Sequence, residues 1–197
     1  TSVSSDFDLG LATQAYYSST YAMVFIKGRG LDDIKVPEDL LKMDTEKRKK
    51  LRLGVFARSP VADWLLKNNL IEQVVPFPPQ TGDPEKYTGE IIEKELVAGN
   101  IDAAFVWGPI GGYFGKKSAT PMAVLPFKQN DPEMPMQFNI AMGVRYGEKP
   151  WRDQIDKLIE KNKTQIQAIM NDFGVPLMPL VVKAEAPVAG GQKASQK

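Results

Sequence analysis

The sequence predicts an α/β fold. Between residues 51 and 127, short apolar runs with strand character alternate with amphipathic helical stripes. The run 101–107 has almost no polar interruption after Asp102, which suits a central strand covered by helices on both faces. Ser59-Pro60 and Gly99 stand where helix starts and stops are needed. With 197 residues, 43% hydrophobic and 25% charged, the chain is long enough for one domain or two small lobes and apolar enough for a packed core.

In chain order, residues 1–12 mix small and acidic side chains with Phe7, Leu9 and Leu11, and read either as a mobile start or as a strand whose partner lies outside this sequence. Residues 21–26 are aromatic, β-branched or apolar at most positions and form the first convincing strand. Lys27-Gly28-Arg29-Gly30 turns the chain, and Pro37 starts a helical turn ending near Leu41. Residues 42–52 carry Lys42, Lys47, Arg48, Lys49, Lys50 and Arg52 against Asp44 and Glu46. They read first as a solvated loop and second as a docking patch for an acidic partner. A strand at 51–56 precedes a helix capped by Ser59, with Val61, Trp64 and Leu65 on one face. A strand at 74–77, a polar loop at 80–89 and a helix with Ile91, Ile92 and Leu96 follow.

Pro121 interrupts the strand at 120–127 and places it at an edge or a strand start. Residues 137–144 alternate strictly, with Phe138, Ile140, Met142 and Val144 on one face. Residues 150–172 carry a helical stripe of Trp151, Ile155, Leu158, Ile159, Ile166, Ile169 and Met170, broken near 161–164 with Thr164 as second cap and ended by Gly174. Residues 184–197 read as a disordered tail. One α/β unit therefore spans 34–133. Its two flanking strands seek a partner sheet, and the helical stripe seeks cover.

Composition narrows the chemistry. Without cysteine there is no disulfide, thiolate nucleophile or cysteine metal site. Without histidine there is no ordinary general base near pH 7 and no Ser-His-Asp triad, and most zinc and iron sites are removed. No cofactor or metal motif can be read, and the acidic pairs Glu93 with Glu95 and Asp153 with Asp156 lie on helix surfaces rather than across a pocket. The 25 basic and 24 acidic residues leave a net charge of +1, which does not point to nucleic acid. No stretch approaches the roughly 18 consecutive apolar residues that a membrane span needs, and any secretion signal is expected to have been removed. Recognition, not catalysis, is the expected chemistry.

The candidate binding residues cluster at strand ends. In an open α/β sheet the carboxyl ends of the strands line the ligand crevice. The strand ending at Trp107 runs into Gly108-Pro109-Ile110-Gly111-Gly112-Tyr113, where glycines turn the chain and keep the surface open; free amides there suit a carboxylate or carbonyl. The alternative is that Gly111 and Gly112 only allow a tight turn and Trp107 plugs the core. Arg58 and Ser59 repeat the geometry one strand earlier, and Arg58 suits a two-pronged pair with a carboxylate. Tyr16, Tyr17 and Tyr21, with Ser18, Ser19 and Thr20, suit a cleft lining, an interface or the edge of a core. Met134, Met136 and Met142 read as core filler.

With these residues set out, the chain resembles the type 2 periplasmic solute-binding proteins. The marks are Ala15-Tyr16-Tyr17-Ser18-Ser19 entering a crossing strand, Leu51-Arg52-Leu53-Gly54-Val55-Phe56, and Ala98-Gly99-Asn100-Ile101-Asp102-Ala103-Ala104 before a buried strand. More narrowly, Trp107-Gly108-Pro109-Ile110-Gly111-Gly112-Tyr113-Phe114, Met142-Gly143-Val144-Arg145 and Gly174-Val175-Pro176-Leu177 resemble the quinoprotein-dehydrogenase-associated branch, the J proteins encoded beside PQQ-dependent methanol dehydrogenase.

The resemblance implies a bilobed fold, a periplasmic address and a non-enzymatic accessory role in maturation or activation of that dehydrogenase. It also implies a cleft with Tyr17 at its entrance and Arg58 and Ser59 where amino-acid receptors grip a carboxylate. Trp107 then stands where those receptors commonly have an aspartate for the ligand's ammonium. An indole cannot replace that charge-assisted bond, so an apolar or bulky guest such as a partner's peptide segment is expected. The lobes implied are a returning part of a first lobe with the hinge strand (1–33), a complete second lobe (34–133) and the hinge strand with the carboxyl-terminal helices of the first lobe (134–183). On this reading an amino-terminal fragment of the same precursor is a second expected partner.

Overall fold

The computed structural model describes residues 1–80, 87–128 and 131–181. Ser2–Ser4 (β1), Leu11–Ala12 (β2) and Tyr17–Ile26 (β3) open the chain, followed by a 3₁₀ turn Pro37–Lys42 and a single helical turn Thr45–Arg48 (α1). Leu53–Phe56 (β4), Pro60–Lys67 (α2) and Val74–Phe77 (β5) come next, then a π-helical turn Ile91–Leu96. Ala103–Trp107 (β6), Gly108–Lys117 (α3), Met122–Pro126 (β7), Gln137–Val144 (β8), Lys149–Lys161 (α4) and Lys163–Asp172 (α5) complete it. None of the described helices is long and apolar enough to cross a membrane.

β3 organises the molecule by pairing twice along its length. Its first residues, Tyr17 to Thr20, run antiparallel to β8, while Tyr21 to Ile26 lie between β6 and β7. The second half belongs to a mixed sheet in the order β5-β4-β6-β3-β7, with β5, β4 and β6 parallel and β3 antiparallel to β6. The first half belongs to a smaller antiparallel sheet with β8 and β1, and β2 also pairs with β8.

Alternation along the buried strands decides which helix covers which face. Met23, Phe25, Ala103 and Phe105 face one side, where Val61, Trp64 and Leu65 of α2 pack with Leu40 and Phe127. Val24, Ile26, Ala104 and Val106 face the other, against Ile91, Ile92, Leu96, Ile101 and Phe114. Both faces of β6 are thus buried, which is why its sequence carries no polar alternation. Ser59 accepts a hydrogen bond from the Ala62 amide at 3.4 Å with Pro60 in the first helical position, as expected of this start.

Four expectations are corrected. The opening residues are neither a loose start nor a strand with an outside partner: Ser2, Val3 and Ser4 pair with Met142, Ala141 and Ile140. The flanking strands likewise find each other, since two short strands and half of β3 suffice to build the second sheet. The second terminal helix is preceded by Asn162, not capped by Thr164, which lies inside α5. The basic run 42–52 contains α1, and its charges are largely engaged: Lys42 pairs with Asp39, Lys49 with Glu46 and Arg52 with Asp102, while Arg48 donates to the Leu41 carbonyl. Residues 81–86 of the polar loop and the tail 184–197 lie outside the described residues.

Neighbouring leucines of α2 separate burial from composition. Leu65 is fully buried and Leu66 is 58% exposed. Leu65→Ala should lower the unfolding free energy by about 2–5 kcal/mol in urea titration, whereas Leu66→Ala should change it by no more than about 0.5 kcal/mol.

Candidate functional site

Parallel pairing brings the carboxyl ends of three strands to one edge of the larger sheet. Phe56 of β4 stands opposite Phe77 of β5, and Leu53 and Val55 are in register with Ala103 and Phe105 of β6, so Trp107 ends beside Phe56 and Ala57. β3 passes this edge in the opposite sense, with Tyr21 paired to Trp107. The starts of α2 and α3 lie at the same edge, because each follows its strand directly.

An aromatic cluster forms there. The half-buried Trp107 ring meets Tyr21 edge-on at 5.4 Å and Phe138 of β8 at 6.0 Å. Tyr16 and Tyr17 contact each other edge-on at 5.0 Å, and the Trp107 indole N–H donates to the Tyr17 hydroxyl. Burial, with Tyr16 beside it, pushes the Tyr17 phenol up to about 12 despite that hydrogen bond, and burial also raises Tyr21. The arrangement offers ring faces and edges and a neutral hydroxyl, with Tyr17 un-ionised at any physiological pH.

Arg58 follows β4 with φ +62, a left-handed backbone that arginine seldom adopts, and its side chain is exposed. No ion pair or hydrogen bond among the described residues engages its guanidinium. Ser59 is buried, with its oxygen committed to the helix cap. Its share in binding is therefore to fix the start of α2.

The glycines do different work from the one expected. Gly108, Gly111 and Gly112 lie inside α3 and are all buried. A Cβ on Gly111 would stand 3.0 Å from Val24 and 3.1 Å from Val106, so this glycine lets the helix approach the sheet. A Cβ on Gly108 would collide with the Thr20 carbonyl and stand 2.7 Å from Pro176. A Cβ on Gly112 would fall on the Gly174 carbonyl oxygen. Gly111 and Gly112 thus neither form a turn nor keep a binding surface open. Tyr113 stacks on Phe173 at 5.8 Å and 18°, and is not one of the rings gathered around Trp107.

Two contributors escaped the sequence reading. Phe138 is one of several alternating apolar residues, and only the pairing of β8 with β3 carries it to Trp107. Pro176 packs against the α3 glycines Gly108 and Gly112 across the fold; its one sequence signal is its place in a motif that carries the family resemblance. Among the described residues, no group of three acidic side chains is placed to hold a metal ion.

Searches for relatives return no matching family model. Protein MoxJ of Methylorubrum extorquens is 30% identical over 91 residues, covering 44% of this chain and 30% of MoxJ, so the match spans under a third of that relative. The solved structure of the periplasmic binding protein XoxJ from Methylobacterium extorquens AM1 matches with a TM-score of 0.70 and 29% identity, over 87% of this chain and 74% of that one. MxaJ from Methlophaga aminisulfidivorans MPT matches in fold with a TM-score of 0.72 at 22% identity, over 90% of this chain and 74% of MxaJ.

The raised phenol has a measurable consequence. Where the unfolded chain ionises at about 10 and folded Tyr17 at about 12, the unfolded state binds fewer protons, so stability falls as pH rises through that window. Ultraviolet titration of the tyrosines should show a late-ionising component that Tyr17→Phe removes, and the variant should lose less stability between pH 10 and 12 than the parent chain. This chain is thus similar to MoxJ in sequence over 91 residues, to XoxJ in sequence and fold and to MxaJ in fold, and it carries the α/β architecture of a type 2 periplasmic binding protein.

Proposed function

We propose that the chain is a non-enzymatic periplasmic accessory protein that docks to a PQQ-dependent methanol or alcohol dehydrogenase and assists its maturation or activation. The relation to XoxJ over 87% of the chain carries this reading. Its compartment is the periplasm, in keeping with that relation to a periplasmic binding protein. Docking acts by differential affinity, stabilising the dehydrogenase conformation that the next step requires.

The docking residues proposed are Tyr16, Tyr17, Arg58 and Trp107 at the strand ends and, apart from that cluster, Tyr113 of α3, with Ser59, Gly108, Gly111 and Gly112 holding the elements that carry them. Support comes from the cluster of Tyr17, Tyr21, Trp107 and Phe138 at the strand ends. Aromatic side chains with polar tips bury large areas at small entropic cost and suit a protein segment better than a zwitterion. Residues 34–133 are proposed as a complete second lobe, residues 1–33 as a returning part of a first lobe with the hinge strand, and residues 134–183 as a hinge strand with the carboxyl-terminal helices of the first lobe. The double pairing of β3 supports that division. Of the terminal helical stripe only Ile159 is buried, while Trp151, Leu158 and Ile169 are about half exposed.

A second reading, a receptor for a small organic solute, is favoured by the exposed Arg58 held in its left-handed turn at the strand ends. Binding to purified PQQ-dependent methanol dehydrogenase, followed by interferometry, separates the two. Trp107→Ala should weaken that binding by roughly 30-fold, an interface anchor being worth about 2 kcal/mol or more. Arg58→Ala should leave the melting temperature unchanged. No binding to the dehydrogenase, together with a thermal shift on adding organic solutes, would establish the receptor reading instead.

A further inference from the structure

Two of the motifs that carry the family resemblance touch. Residues 107–114 supply the glycine face of α3, and residues 174–177 lie across it. Gly112 and Gly174 meet backbone to backbone, with no room for a Cβ on the former, and Gly174 holds φ +73. Pro176 seats on Gly108 at the point where β3 passes from one sheet to the other, because the same Gly108 position abuts the Thr20 carbonyl.

This segment is tied on both sides. Toward the larger sheet, Phe173 stacks on Tyr113, and Lys116 donates to the Asp172 carbonyl. Toward the smaller sheet, the Ser19 hydroxyl donates to the Pro176 carbonyl at 2.8 Å and the Met178 amide donates to the Ser18 carbonyl at 2.9 Å. Gln137 Nε2 donates to the Pro179 carbonyl at 2.6 Å, and Asn139 exchanges two hydrogen bonds with Val181, at 2.8 and 2.9 Å.

We propose that residues 172–181 form a strap that locks the two sheets in one orientation, so that the aromatic edge is presented ready-made and is not formed by closure about a hinge. A hinge would act where β3 and the approach to β8 cross, near Thr20 and Tyr21 and near Met136 and Gln137. Rotation there has to slide α3 along the strap. A backbone-to-backbone contact has no flexible side chain to take up such a slide, and packed interfaces shift between discrete arrangements rather than deform continuously. The inference goes beyond the docking reading and holds whichever guest meets the aromatic edge.

The absence of cysteine makes the test direct. Asp63→Cys on α2 and Lys157→Cys on α4, both exposed, take spin labels on the full chain for dipolar distance measurement. The otherwise unaltered chain should give one narrow distance. Gly112→Val should broaden or split it, as should the paired change Lys116→Ala with Phe173→Ala, which removes both side-chain ties but leaves the glycine contact. Circular dichroism reports whether each variant is folded. A broad or double distance in the parent overturns the strap, as does an unchanged distance in a folded Gly112→Val chain. Should Gly112→Val not fold, the paired variant decides, and an unchanged distance there overturns the proposal equally.

Discussion

Three buried hydroxyls in a row on β3 set the terms for the rest of the molecule. Ser18, Ser19 and Thr20 are almost wholly removed from water, and each donates to a different main-chain carbonyl: Phe138 at 3.1 Å, Pro176 at 2.8 Å and Met136 at 3.0 Å. A buried hydroxyl without a partner costs about 1–3 kcal/mol. The strand can hold this polar stretch only with β8, the carboxyl-terminal segment and the approach to β8 all in place. That requirement joins elements more than 100 residues apart at the point where one sheet gives way to the other.

The aromatic edge follows from the same crossing. Tyr17 belongs to the half of β3 that pairs with β8, and Tyr21 to the half that pairs with β6. Trp107 receives a ring from each sheet, Tyr21 from β3 and Phe138 from β8, and its N–H reaches Tyr17. A carboxylate at position 107 would meet burial beside a phenol already pushed upward, whereas an indole gains from it. The local chemistry is therefore that of ring surface, in contrast to the ionic grip that a zwitterionic solute demands.

Charge has a subordinate part. The ion pairs, such as Arg52 with Asp102 and Lys67 with Asp131, join partly exposed side chains, where solvent screening leaves little net gain from pairing. Their use is positional. The Asp102 carboxylate accepts from the Arg52 amide and from its guanidinium, fixing the entry to β4 against the entry to β6. The basic run that stands out in the sequence is thus largely spent on its own neighbourhood.

Patterns that depend on near neighbours were legible in the sequence. The α/β class, the strands expected at 51–56, 74–77, 101–107 and 137–144 and found at 53–56, 74–77, 103–107 and 137–144, the Ser59-Pro60 start and the Gly174 stop all follow from local rules of periodicity, capping and backbone freedom. Aromatic residues at the strand ends were legible for the same reason. What only the tertiary structure decided are contacts across long separations: Ser2–Ser4 with β8, Phe138 on Trp107, and Gly112 on Gly174. A glycine pair in a sequence announces that a side chain is missing but not what occupies the space. In isolation 111–112 reads as a turn; inside a helix laid on a sheet and crossed by a distant segment, it becomes the place where backbones meet.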